Sequence, residues 1–169
     1  MNRRAFVTGL GVLAAPLRAR AQTGRVYRIG IVHPGSPPDA WVEMFELGLR
    51  DLGYRAGQNA EFEERWGRGH PETLADMSAE LVRRNVDVLV TMTGPAVSAA
   101  KQQTSTIPIV MAISGDPLGL GLVPNLAHPG GNITGVSLLS DDLAAKRLEV
   151  LKEAVPRISR VAVLYTPAG

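Results

Sequence analysis

The chain has no cysteine. That excludes a disulfide framework, a thiolate metal site and a lipid anchor carried on an N-terminal cysteine. No uninterrupted apolar run reaches the roughly 20 residues that a membrane-spanning helix needs. There is no G-x-x-x-x-G-K-S/T loop to cradle nucleotide phosphates, and no G-x-S-x-G elbow to present a nucleophilic serine. His33, His70 and His128 are isolated, without metal-ligand spacing. No catalytic residue, metal or cofactor is therefore expected, and no internal repeat or low-complexity tract interrupts the chain.

What is present begins with an export signal. Arg3 and Arg4 precede the apolar run 5–17, and Ala19-Arg20-Ala21 supplies small residues flanking a cleavage point before Gln22. Cleavage is expected after Ala21, which leaves no stable membrane insertion. Arg3-Arg4-Ala5-Phe6 resembles a twin-arginine signal, and paired arginines also occur in general export signals, so both routes stay open. A dinucleotide-like fingerprint, Gly9-Leu10-Gly11-Val12-Leu13-Ala14, falls inside this segment with no strand before it and is read as accidental.

The signal also accounts for the basic balance. Arg3, Arg4, Arg18 and Arg20 lie in it, and without them the chain carries 14 basic against 16 acidic residues, a formal charge of −2. No clustered Lys/Arg face remains, so nucleic acid is excluded as a partner.

Beyond the signal, strand-like and helix-like segments alternate. Residues 25–32 read as a first strand, and Asp39 as the cap of a helix whose Val42, Phe45, Leu49 and Leu52 form one apolar stripe ended by Gly53. Residues 60–66 read as a strand and Pro71 as the start of a helix facing Leu74, Met77, Leu81 and Val82 inward. Further buried strands are expected at 86–92, 107–113 and 132–136, with a short helix from Pro95 to about Gln103 and a brief one over 118–126. Asp141 is expected to cap a helix bearing Ala144, Leu148, Leu151 and Val155, followed by a buried strand over 160–165. Such alternation predicts an α/β fold with a doubly wound parallel sheet. Trp41 and Trp66 are assigned to the core by default.

Ligands of open parallel sheets bind beyond the carboxyl ends of the strands, where loops leave N–H groups unpaired. Three loops should meet there, contributing Pro34, Gly35 and Ser36, then Thr93 and Gly94, then Ser114, Gly115 and Asp116. Each joins small residues, which let a ligand approach the backbone, to hydroxyls or amides able to hold a carboxylate or ammonium group. Asp116 has a second reading, as the cap of the helix begun by Pro117. Thr134 and Gly135, at the end of the fifth strand, are assigned to the cleft or to a hinge.

The segment Gly115-Asp116-Pro117, then GLVPNLAHPGGNITGVS over 121–137 and AKRLEVLKEAVPRISRVAVLY over 145–165, resembles the substrate-binding proteins of bacterial ABC importers, in the subgroup linked to aromatic amino acid uptake. The resemblance runs from Arg25 onward. It implies a type I periplasmic binding protein with flavodoxin-like lobes and strand order 2-1-3-4-5. It also implies a receptor, not an enzyme, that takes a small-molecule ligand and serves a permease with a separate ATPase. On this pattern 22–139 is an N-terminal ligand-binding lobe and 140–169 is the start of a second lobe, so the chain reads as truncated. The alternatives are an exported α/β hydrolase using Ser36 or Ser114, and the ligand-sensing lobe of a regulator.

Overall fold

A computed structural model describes residues 25–138 and 143–163. The export signal and the Asp141 cap lie outside them. β-Branched residues crowd three short runs, which become the centre of one parallel sheet: β1 (Tyr27–His33), β3 (Val88–Thr91) and β4 (Ile109–Ser114). β2 (Ala60–Trp66) and β5 (Ile133–Ser137) flank them, giving five strands in the order β2-β1-β3-β4-β5. Every pairing is parallel. The order anticipated from the family resemblance is the one observed.

Successive strand residues point to opposite faces, so the sheet has two cores. On one face Val32, Leu89, Ile109 and Met111 pack with Leu74 and Leu81 of α2 (Leu74–Arg83) and with Ala96, Val97 and Ala100 of α3 (Gly94–Gln103). On the other, Ile29, Ile31 and Val90 pack with Val42 of α1 (Ala40–Asp51), and Phe45 and Leu49 lie against them half-buried. Asp39 caps α1, its Oδ1 accepting from Trp41 N at 2.9 Å and Val42 N at 3.4 Å. Gly53, at φ +93°, ends it as expected.

Some expectations need correction. Leu52 does not continue the α1 stripe; it is the C-cap and 77 % exposed. Trp41 lies on the outer side of α1, 65 % exposed rather than in the core. Pro71 opens a short 3-10 turn, Pro71–Thr73, before α2 begins.

The stretch 118–126 is not helical. Asp116 Oδ1 accepts from Gly119 N at 2.7 Å, and Leu122 N and Val123 N both turn back to Pro117 O, closing a tight turn instead. Glycines at 119 and 121, the latter at φ +62°, favour a turn over a helix.

Of the expected strand over 160–165, residues 160–163 are irregular, with Val161 and Val163 exposed. A strand exists only by pairing, and no sixth partner is present among the described residues. The helix before it forms as α4 (Ala144–Ala154) but buries none of its residues. No helix among the described residues is long and apolar enough to cross a membrane.

Candidate ligand-binding site

Because β1, β3 and β4 are parallel neighbours, their carboxyl ends lie along one edge of the sheet, and the three loops singled out above leave from it. The chain passes from β1 outward to β2 and then back to β3 on the other side of β1. In open parallel sheets such a reversal is where the ligand crevice lies, which here points to the space between the β1 and β3 loops.

The β1 loop is held on all sides. Pro34 O accepts from Gly69 N at 2.9 Å, Gly35 O from Arg68 N at 2.8 Å and His33 O from Gly67 N at 2.7 Å, so the loop after β2 is stitched to it. His33 Nδ1 accepts from Gly35 N at 2.9 Å. The proton of the neutral ring is then on Nε2, which faces Asp39 Oδ2 at 3.5 Å. Trp66 packs against the same ring at a tilt of 42°, with centroids 4.7 Å apart. Ser36 is exposed beyond this frame.

The β3 loop sits at a helix start. Thr93 is the N-cap of α3, its Oγ1 accepting from Ala96 N at 3.5 Å, and Gly94 is the first helical residue. The β4 loop begins inside the protein. Ser114, the last residue of β4, is only 1 % exposed, and its Oγ has no hydrogen-bond partner among the described residues. That hydroxyl lies 3.8 Å from the place where a Cβ on Gly94 would stand. Gly115 O accepts from Ser137 Oγ at 3.3 Å.

The structure therefore brings Thr93 and Gly94 together with Ser114 and Gly115. Pro34 and Gly35 occupy the neighbouring loop. Thr134 and Gly135 are not at the end of β5: they lie within it, paired with Val110 and Met111, and only Ser137 reaches the edge, opposite Ser114. Gly135, at φ +142°, is packed so tightly on β4 that a Cβ would overlap the Met111 backbone. Its side-chain-free backbone serves sheet packing. Ser137 was missed from sequence; its place two residues past Gly135 is the signal that could have found it.

A concavity of about 320 Å³ lies beside β5, lined by Met111, Pro117, Val123, Leu126, Gly135 and Ser137 among others. A larger one, about 690 Å³, runs along the outer strand β2 among Arg28, Glu61, Glu63, Arg65 and Arg84. Several of its charges are paired, although Arg28 Nε is buried without a hydrogen-bond partner among the described residues and Glu46 and Glu64 meet there as like charges. Glu63 pairs with Arg28 and with Arg84, and Arg65 grips Glu80 through two bonds of 2.8 and 3.0 Å, holding that carboxyl down to about 2. Among the described residues no three metal-ligating side chains come together. Among the described residues no base lies within hydrogen-bond distance of Ser114 Oγ, so they do not assemble the nucleophile and base of a hydrolase around it.

A parallel sheet in this order, with glycine and hydroxyl loops gathered at its carboxyl edge, defines a lobe of the type I periplasmic binding protein class. The chain belongs to the family of ABC transporter substrate binding proteins, whose model matches residues 29–169. It is 33 % identical over 122 residues to the tyrosine-binding protein of Clostridioides difficile (strain R20291), covering 72 % of this chain and 34 % of that one. A conserved domain protein from Vibrio cholerae aligns with a TM-score of 0.70 at 31 % identity, over 79 % of this chain and 45 % of its own. An ABC domain from Streptococcus pneumoniae, in complex with L-Trp, aligns with a TM-score of 0.58 at 32 % identity, over 66 % and 38 %. The chain thus spans between about a third and just under half of the length of these relatives.

Proposed function

We propose that this chain is the ligand-capturing part of an exported receptor for an ABC importer, and that its ligand is an aromatic amino acid or a close relative. The observation that carries the reading is the pairing of a buried, unpartnered Ser114 hydroxyl with the start of α3 at the carboxyl edge. Free N–H groups and the helix dipole at a helix start favour a carboxylate. A serine hydroxyl beside them adds a donor for the same group. The tyrosine named for one relative and the L-Trp held by another support the aromatic class.

In this reading Pro34, Gly35 and Ser36 border the crevice, while Thr93, Gly94, Ser114, Gly115 and Asp116 form its polar base. Thr134 and Gly135 belong to the strand that carries Ser137 to the edge. Residues 22–139 form the N-terminal lobe and 140–169 open a second one. The ligand favours closure because only the closed form contacts it from both sides, and no bond is made or broken. Export with cleavage after Ala21 places the receptor in the periplasm. There it delivers its ligand to a permease driven by a separate ATPase.

Calorimetric titration of L-tryptophan and L-tyrosine tests this, using the chain alone and the chain joined to a second lobe. A ligand touched by one lobe leaves much of its surface in water, whereas good sites bury about 70–90 % of it. Joining the second lobe is expected to tighten binding by at least about two orders of magnitude, or roughly 2.7 kcal/mol. Absence of binding in the joined protein overturns the aromatic reading, and turnover of a supplied ester overturns the receptor.

A further inference from the structure

Leu120 is a large apolar side chain, 52 % exposed, at the carboxyl edge of the sheet. Its Cδ1 stands 2.5 Å from the position a Cβ on Gly94 would take, and Ser114 Oγ stands 3.8 Å from that same point. The leucine tip, the first residue of α3 and the unpartnered hydroxyl thus converge around one spot. A Cβ at position 94 would meet the end of the Leu120 side chain, which would have to turn aside to make room.

The backbone beneath Leu120 is pinned from both ends. Leu120 N donates to Asp116 O at 3.1 Å, Leu122 N donates to Pro117 O at 2.9 Å, and Lys101 Nζ reaches over from α3 to Gly121 O at 2.7 Å. Pro117, Leu122 and Val123 are buried around it. The Leu120 side chain, half in solvent, is free to change rotamer, and rotamer changes of exposed side chains are fast.

We propose that Leu120 is a ligand-positioning residue: it keeps water off the Ser114 hydroxyl and forms the apolar wall against which the non-polar body of a bound molecule rests. A hydroxyl kept dry and unpaired raises the free energy of the empty site, and a ligand group that pairs with it relieves that cost. The site so built selects an amphipathic small molecule, with its carboxylate toward Ser114 and α3 and its apolar part against Leu120. The second half of this inference rests on the ligand class given under Proposed function; the first half does not.

The absence of cysteine makes the test direct. Ser114→Cys introduces the sole thiol of the chain, and its alkylation by iodoacetamide, followed by mass spectrometry in native buffer, reads access to the buried site. Adding Leu120→Ala is expected to speed alkylation by about tenfold or more, while Leu120→Met, which keeps the cover, leaves it close to the starting rate. Circular dichroism melting verifies folding; if the alanine double variant is unfolded, Leu120→Val replaces it with a smaller increase expected. Equal rates with leucine and with the shortened side chain overturn the cover.

With Ser114 intact, Leu120→Ala is expected to weaken L-tryptophan binding by about tenfold, or 1.4 kcal/mol, with Leu120→Met restoring it. Unchanged affinity overturns the wall. If the unmutated protein binds neither L-tryptophan nor L-tyrosine, the aromatic ligand class fails and the wall fails with it, while the alkylation rates still decide the cover.

Discussion

The loops leaving β1 and β4 lie on the same edge of the same sheet and are built in opposite ways. After β1, the carbonyls of His33, Pro34 and Gly35 each accept a backbone hydrogen bond, the His33 ring is bonded at Nδ1, and Trp66 closes over it. After β4, the Ser114 hydroxyl is buried with no partner among the described residues, and a leucine half in solvent stands near it. Buried polar groups are nearly always paired, and exceptions concentrate at functional positions. The first loop spends its polar groups on holding the chain in place. The second withholds one, and that is what a ligand can use.

The largest expected effect comes from breaking the paired loop. Trp66 covers the His33 ring, and its Nε1 donates to Glu64 Oε2 at 2.8 Å. Truncating a fully buried tryptophan costs about 3–5 kcal/mol, and since Trp66 is half-buried, Trp66→Ala should cost about 2 kcal/mol. Urea unfolding measures it. A loss under about 0.5 kcal/mol would mean that the backbone bonds alone hold the β1 loop, within the range of ordinary surface changes.

Ser114→Ala should act in the reverse direction. Removing a buried hydroxyl that has no partner removes its desolvation penalty, so the unliganded protein should gain about 1 kcal/mol. The sign of the change in urea midpoint is the decisive reading. Destabilisation would show that the hydroxyl is satisfied in solution, and the contrast between the two loops would disappear.

The sequence made the sheet legible and the turn chemistry much less so. Period-two and continuous apolar runs are read off directly, as are an aspartate before a helix and a glycine after it, which is why α1 and all five strands were anticipated. The stretch 118–126 carries leucines at helix-compatible spacing, but its glycines and the reach of Asp116 Oδ1 to Gly119 N close a turn there. Residues 160–163 have the composition of a strand and lack a neighbour to pair with among the described residues. At the edge, the residue types of Thr93, Gly94 and Ser114 were readable because small and hydroxyl-bearing residues after strands are informative in themselves. The burial of Ser114 and its cover by Leu120 were not. They depend on a side chain six positions away that returns only because the turn is tight.

The smallest effect concerns a mismatch next to the paired loop. Glu46 of α1 faces Glu64 of β2, the residue that accepts from Trp66. Burial, and then the Glu64 carboxylate, raise the Glu46 carboxyl above the ordinary 4.5. A carboxyl that is harder to ionise in the folded chain than in the unfolded one costs stability when ionised. That cost is absent below the unfolded value of about 4.5 and grows as pH rises through the folded one. Glu46→Gln removes the charge while keeping the shape. It should therefore raise the melting temperature at pH 7 by an amount corresponding to a few tenths of a kcal/mol, in line with the removal of a like-charge neighbour. At pH 4 the difference from the parent protein should shrink toward zero, because Glu46 is then largely protonated in both states. A gain that persists unchanged at pH 4 would mean that glutamine helps through packing and that the two carboxylates do not oppose each other. The contrast between the bonded β1 loop and the Ser114 hydroxyl would then owe nothing to a clash between these two carboxylates.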